Sequence, residues 1–361
     1  MAFDPKQPYN NLPPLPPDAD LEPKPVLKQC ISAHRALAEL KGAGELIPNQ
    51  SILINTIPLR EAQSSSEIEN IVTTSDRLFR AAVGKDADVD HATKEVLRYR
   101  TALKKGCDLL KVRPLSTNLF TRICSVLRAK TMDVRKVPGT TIQNETTGEK
   151  VYTPPEGEEI IRDKLANLED FIHRDDALDP LVRMAVIHYQ FEAIYPFHDG
   201  NGRTGRIINI LYLMSEDLLD IPVLYLSRHI VENKSDYYSL LRGVTTNGAW
   251  ESWIRFVLTA VEETSIWTCQ KIMAIRDLLE ETLEQCRNKL PDHVYSKELV
   301  ELVFVQPYCK IAFVVDAGIA KRQTAAEYLK ELEKIGVLES YKVGRERIFV
   351  NPPLLELLSE A

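Results

Sequence analysis

Residues 191–206 constrain this chain more than any other stretch: Phe-Glu-Ala-Ile-Tyr-Pro-Phe-His-Asp-Gly-Asn-Gly-Arg-Thr-Gly-Arg. A helical run ends against Pro196, and a second helix is expected to begin near Arg203. Gly200 and Gly202 let the backbone between them turn sharply and approach a ligand closely. The N–H groups of a helix start, at the positive end of its dipole, form an anion site. Arg203 and Arg206 are three apart, so both guanidinium groups are expected to project from one turn toward that site. Asp199 opposes a phosphate there unless a divalent cation bridges the two, and Mg²⁺ commonly takes one or two carboxylates plus phosphate oxygens. The stretch reads as a cradle for a polyphosphate and a metal ion. A plain Gly-Asn-Gly turn with solvated charges does not account for the residues occurring together.

The surrounding sequence is built to hold such a loop between helices. Segments 26–41, 91–110, 116–129, 157–173, 179–195, 203–216 and 250–288 carry apolar residues at three- and four-residue spacing. One stretch interrupts them. Thr140 to Tyr152 is β-branched, polar at its middle and turned at Thr147-Gly148, which predicts a β-hairpin. Eight of the 21 prolines fall in the first 25 residues, so the front is an extended, polyproline-like arm. It is either an ordered leader along the domain surface or a docking ligand for an aromatic-lined groove.

The tail has a different rhythm. Helical patterns at Lys297–Phe304, Lys310–Asp316 and Lys321–Ile335 precede a short two-strand pattern around Val343-Gly344-Arg345. Three helices and a small hairpin are the layout of a winged helix-turn-helix. Lys321 and Arg322 open its candidate recognition helix, and Lys342, Arg345 and Arg347 decorate the candidate wing. Yet residues 293–361 hold 9 Lys+Arg against 10 Asp+Glu, without the basic excess of a DNA-binding domain. Protein contact and DNA contact both stay open.

The expected organisation is a proline-rich leader (1–25), an N-terminal helical region (26–115), a core (116–290) with a hairpin flap at 137–153, and a winged-helix domain (291–361). With 45 Lys+Arg and 52 Asp+Glu, the net charge of −7 offers no general attraction for nucleic acid or anionic membrane. The 6 cysteines are scattered without a CxxC pair, which argues against a zinc site or a disulfide scaffold. No run of about 18 apolar residues and no signal pattern is present, so a cytoplasmic protein without membrane partners is expected.

The 191–206 stretch resembles the Fic family signature, His-Pro-Phe-x-Asp/Glu-Gly-Asn-Gly-Arg-x-x-Arg, through Pro196, Phe197, Asp199, Gly200, Asn201, Gly202, Arg203 and Arg206. The resemblance extends over roughly residues 10–290. It implies a mainly α fold, a Fic-type helical bundle whose β-hairpin flap docks a target. It also implies protein adenylyltransferase activity (AMPylation), the transfer of AMP from ATP to a Ser, Thr or Tyr hydroxyl of a target protein, with auto-AMPylation and a homodimer as further expectations. By the same resemblance, Asp199 holds Mg²⁺ (or Mn²⁺), and the backbone of Gly200, Asn201 and Gly202 cradles the α- and β-phosphates. Arg203 orients the phosphates, Arg206 holds the γ-phosphate, and Phe197 anchors the loop. Tyr237 or Tyr238, followed by Leu241, Trp250 and Trp253, lies near the adenine or else belongs to the core.

The chain departs from the signature at its first letter. Tyr195 stands where the family places the catalytic histidine that takes the proton from the attacking hydroxyl. With a reference pKa of about 10, tyrosine is protonated at pH 7 and is a donor rather than a base. The substitution fits an inactivated, a naturally non-catalytic or a tuned site. His188 is expected to pack in the core, and His198, in the variable slot, to face elsewhere.

Near the front, Ser65-x-x-x-Glu69-Asn70 resembles the family's inhibitory motif, on a helix at about 60–71. The resemblance pairs Glu69 with Arg206, occupying the guanidinium meant for the γ-phosphate. Besides autoinhibited AMP transfer impaired by Tyr195, the alternative is a nucleotide-binding, catalytically inactive transcription regulator of the same family. Transfer of a moiety other than AMP is a third reading, because the cradle reads phosphates rather than the base.

Overall fold

The computed structural model describes residues 3–84, 89–143, 147–343 and 346–360. The N-terminal half is α1 (Lys24–Glu45), α2 (Ser51–Ile68), α3 (Ser75–Val83), α4 (His91–Leu110) and α5 (Thr117–Arg128). Strands β1 (Ile142–Gln143) and β2 (Lys150–Tyr152) pair antiparallel. The core continues through α6 (Glu158–Ile172), α7 (Pro180–Ile194), α8 (Asn201–Ser215), α9 (Leu226–Glu232), α10 (Lys234–Asn247) and α11 (Trp250–Lys289). The tail is α12 (Lys297–Leu302), β3 (Tyr308–Lys310), α13 (Ile311–Asp316), α14 (Arg322–Lys334), β4 (Glu339–Val343), β5 (Glu346–Val350) and α15 (Pro352–Ser359).

Local chemistry sets several of these boundaries. Thr74 and Asp90 accept from the backbone N–H groups of Arg77 and Thr93, capping α3 and α4. Prolines at the starts of α1, α7 and α15 occupy first-turn positions whose N–H has no helical partner. Helix α7 is apolar nearly all round, and every residue except Pro180 and Glu192 is buried, so it forms the centre of the bundle. Helix α8 lies against it. Helix α11, 40 residues and therefore about 60 Å long, packs along α1 and carries the tail at its far end.

The proline-rich leader is ordered along the surface of α6 and α7. Leu12, Leu15 and Leu21 are buried. Prolines cannot donate, so side chains of the core donate to the leader's carbonyls: Lys164 to Leu12 (2.8 Å), Gln190 to Pro13 (2.9 Å) and Asn167 to Leu15 (3.0 Å).

In the tail, β5 lies between β3 and β4, with Phe349 opposite both Cys309 and Ser340. The helices α12, α13 and α14 and the β4–β5 pair lie where three helices and a hairpin are expected, and β3 and α15 are additional. Gly344 and Arg345 of the candidate wing lie outside the described residues. The tail is tied to the rest of the molecule. Tyr308 donates to Asp76 of α3, and Lys271 of α11 pairs with Glu360 at 2.9 Å. No helix among the described residues is long and apolar enough to cross a membrane.

Three boundaries around the 191–206 loop and its neighbours differ from those expected in ways that bear on the site. Helix α8 starts at Asn201 rather than near Arg203, because Gly200 takes the left-handed conformation (φ 82°) and serves as its N-cap. Helix α2 spans Ser51–Ile68 instead of 60–71, so Glu69 is its C-cap and not a residue of its face. Asn70, at φ 60°, turns the chain away. The hairpin is also shorter than 137–153, and residues 144–146 lie outside the described residues.

Candidate active site

The loop between α7 and α8 is held from both ends. Tyr195 caps α7 in the left-handed conformation (φ 50°), its N–H bonded to Phe191 O at 3.0 Å. The buried Arg135 donates from Nε to Tyr195 O at 2.8 Å, and also to Pro155 O. Its backbone N–H donates to Pro196 O at 2.9 Å. Phe197 is fully buried and packs on Phe191. Asn201 closes the loop on itself: Oδ1 accepts from Phe197 N at 2.8 Å and Nδ2 donates to Phe197 O at 2.7 Å. Its side chain is thus committed to shaping the turn. Tyr152 of β2 donates to Ala193 O at 2.7 Å, tying the flap to the end of α7.

Arg135→Ala removes a charged donor serving several loop carbonyls and leaves them unmatched, at a cost of about 2–4 kcal/mol. A fall of several degrees in Tm by circular dichroism is expected; an unchanged Tm contradicts this account of the loop.

The two arginines of the first turns of α8 face different partners. Arg203, 2% exposed, donates to Glu95 of α4 at 2.8 Å and lies 3.8 Å from Asp199. Burial pushes the Glu95 carboxyl up, but the hydrogen bond and charge of Arg203, with Arg128, outweigh it and hold it below the usual range. Arg128, at the end of α5, bridges Glu95 (3.3 Å) and Asp199 (2.8 Å). Asp199 remains 48% exposed at its side chain, so it is both paired and open to solvent.

Arg206, 1% exposed, turns to α2. It donates from Nε to Ser65 Oγ (2.7 Å), and from Nη2 to Ser65 O (2.8 Å) and Glu69 Oε1 (2.9 Å). The glycine at 202 is required for this pairing, since a Cβ there would collide with Glu69 Oε1. The expectation that both guanidinium groups project toward one site is therefore corrected in this state: each is engaged by a carboxylate from the N-terminal region.

Burial, reinforced by the charges of Glu69 and Glu192, pushes the Tyr195 hydroxyl up to about 12. His188 is buried, hydrogen-bonded to Tyr237 at 2.9 Å and stacked on Trp253; burial and then Arg206 push it down to about 3. His198 is exposed. Of the tyrosine pair, Tyr237 belongs to the core (2% exposed), while Tyr238 is 46% exposed and meets it edge-on. Sequence reasoning missed Glu95, Arg128, Arg135 and Glu192. The available signal was a charged residue at an apolar-face position, as at Glu95 in α4.

Comparison with known proteins shows the family. The Fic/DOC family N-terminal model matches residues 27–108, and the Fic/DOC family model matches 114–213. The chain belongs to the Fic/DOC family. A third model, the C-terminal domain of SoFic-like protein adenylyltransferase, matches residues 278–354. Relatives include protein adenylyltransferase fic-1 of Caenorhabditis briggsae, 32% identical over 105 residues (28% of this chain, 19% of that one). Protein adenylyltransferase Fic of Nematostella vectensis is 31% identical over 114 residues (31% and 25%). The matches thus span at most a quarter of these two relatives' length. A Fic family protein from Desulfovibrio desulfuricans shares the fold with a TM-score of 0.54 at 17% identity, covering 89% of this chain and 95% of that one. Fic-1 from C. elegans has a TM-score of 0.52 at 18% identity, covering 70% and 74%. This Fic chain carries the family's loop with Tyr195 as its first residue.

Proposed function

We propose that this Fic chain is a protein adenylyltransferase, transferring AMP from ATP to a hydroxyl side chain of a target protein, and that the end of α2 inhibits it. The observation that carries the reading is the buried Arg206, set at the start of α8 and held by a carboxylate from another element. A buried guanidinium that donates to an exchangeable partner is suited to a terminal phosphate. The relatives' names support the reaction class.

The target hydroxyl attacks the α-phosphorus in line. An oxygen–phosphorus bond forms, the bond to the bridging oxygen breaks, and pyrophosphate leaves. The first-turn N–H groups of α8 stabilise the phosphate charge, with Arg203 positioned by Glu95 and Arg206 on the γ-phosphate. The half-exposed Asp199 fits a divalent cation, which when bound neutralises charge on the leaving diphosphate. Its pairing with Arg128 competes with that ion. Arg128→Ala is expected to tighten Mn²⁺ binding severalfold in calorimetry without nucleotide, and unchanged affinity contradicts the role given to Asp199. The hydroxyl proton has no ready acceptor, since Tyr195 stays protonated well above neutral pH. Transfer by this chain is therefore slow.

Label from α-labelled ATP, and none from γ-labelled ATP, is expected on the chain or on a lysate protein. Label from the γ-position alone overturns the reading. The second reading, a nucleotide-sensing regulator, is favoured by one contact: Arg60 of α2 donates to Gln63 and reaches Glu360 O at 3.4 Å, linking the inhibitory helix to the C-terminal region. Salt-sensitive DNA binding that changes with ATP, without label transfer, would decide for it.

A further inference from the structure

Glu192 is an acid of the loop region that the proposed reaction does not use, half-buried as a residue with its Oε1 enclosed. It lies three residues before Tyr195 on α7. Its Oε1 is buried and has no hydrogen-bond partner among the described residues, although buried polar atoms are normally paired. The carboxyl presses on α8 at Gly205, between the two arginines, where a Cβ would collide with Oε1 and crowd Phe191. The charged and titratable groups facing it are Arg206 from α8, Glu69 from the end of α2, Tyr237 and Tyr238 from α10, and Tyr195 at the end of its own helix. Arg206 therefore has two acidic neighbours. Glu69 is bonded to it and can leave with α2; Glu192 is fixed on the central helix and stays.

A terminal phosphate that displaces Glu69 meets Glu192 at the same guanidinium. Two anions on one buried cation repel strongly at low dielectric, whereas a protonated carboxyl adds no charge and contributes an O–H donor. We propose that Glu192 makes triphosphate binding proton-dependent, its protonated form admitting the terminal phosphate at Arg206 and its ionised form opposing it. The inference rests on the proposed function of Arg206. Burial, with Arg206 pulling down and Glu69 pushing up, sets this carboxyl at about 7. The dependence therefore falls in the neutral range.

The test is calorimetric titration of ATP into Glu69→Gly, and into Glu69→Gly carrying Glu192→Gln, between pH 6 and pH 8. The terminal phosphate of ATP titrates in this range as well, with a pKa of about 6. It does so in both chains, so the readout is the ratio of their affinities. That ratio is expected to change by about tenfold or more across the interval, with the Gln chain binding more tightly at pH 8, and loss of the Glu69 charge moves the dependence toward the lower end of it. Glu192→Met, also uncharged, is expected to give the same result, and circular dichroism checks that each variant is folded. A ratio constant with pH, or weaker binding by both uncharged variants at pH 8, overturns the inference while leaving the proposed function standing. No ATP binding by any of the chains at any pH overturns both.

Discussion

Replacing Tyr195 by His is expected to accelerate AMP transfer by about 10²–10⁴-fold in a chain whose Arg206 is available to the nucleotide. The backbone at 195 is in place for either residue. It caps α7 at φ 50°, and Arg135 holds its carbonyl. Histidine is among the residues enriched in that conformation, so the substitution is not expected to unfold the loop. What changes is the proton acceptor. Burial and two nearby carboxylates push the Tyr195 hydroxyl up to about 12, leaving it a donor at neutral pH. An imidazole with an ordinary pKa of about 6.5 accepts a proton from neutral pH upward. Single-turnover rates with α-labelled ATP should rise through pH 6–7 and level off in the His variant. Equal rates in the two chains would mean that another group takes the proton.

Glu69→Gly is expected to tighten ATP binding by about tenfold to a hundredfold. A charge-assisted hydrogen bond is worth about 1.5–3 kcal/mol, and the nucleotide has to break it to reach Arg206. The solvent exposure of Glu69, 37% at its side chain, favours the lower end. The two hydrogen bonds that Arg206 donates to Ser65 remain in the variant, so Arg206 stays oriented. The substitution leaves a buried guanidinium without its carboxylate, so Tm should fall without nucleotide and recover when ATP is added. Unchanged affinity in calorimetry would show that Glu69 does not compete with the terminal phosphate. Binding that is tighter but lacks ATP-dependent recovery of Tm would place the effect elsewhere than Arg206.

The site was legible where its chemistry is contiguous. Residues 195–206 carry their spacing in one stretch, and Phe197, Asn201 and Gly200 build the turn from local hydrogen bonds and one left-handed glycine. Ser65 and Glu69 were legible as a motif. Their connection to Arg206 spans 137 residues or more and depends on how α2 ends. Glu95, Arg128 and Arg135 were not legible, because each comes from a different segment and is defined only by what folding brings beside it. Glu192 carries no signal of its own in the sequence; its Oε1 is enclosed where α8 crosses at Gly205. Most of the long helices followed from apolar spacing; the 18-residue α2 and the 14-residue α10 did not. The 7-residue α9 and the 3-residue β3 are too short for periodicity to mark them. Ser64, Ser65 and Ser66 are buried, with Ser64 against the Tyr225 hydroxyl (2.6 Å) and Ser65 against Arg206, contacts that no local pattern marks.

The central claim is that one loop holds the nucleotide, that Glu69 blocks it, and that Tyr195 deprives it of a base. The most direct test is the rate of AMP transfer from α-labelled ATP, at one fixed ATP concentration, in four chains: the unaltered protein, Glu69→Gly, Tyr195→His and the double variant. The account predicts little label in the unaltered chain and in Glu69→Gly, partial transfer with Tyr195→His, and by far the fastest transfer in the double variant. A double variant no faster than the unaltered chain would contradict it.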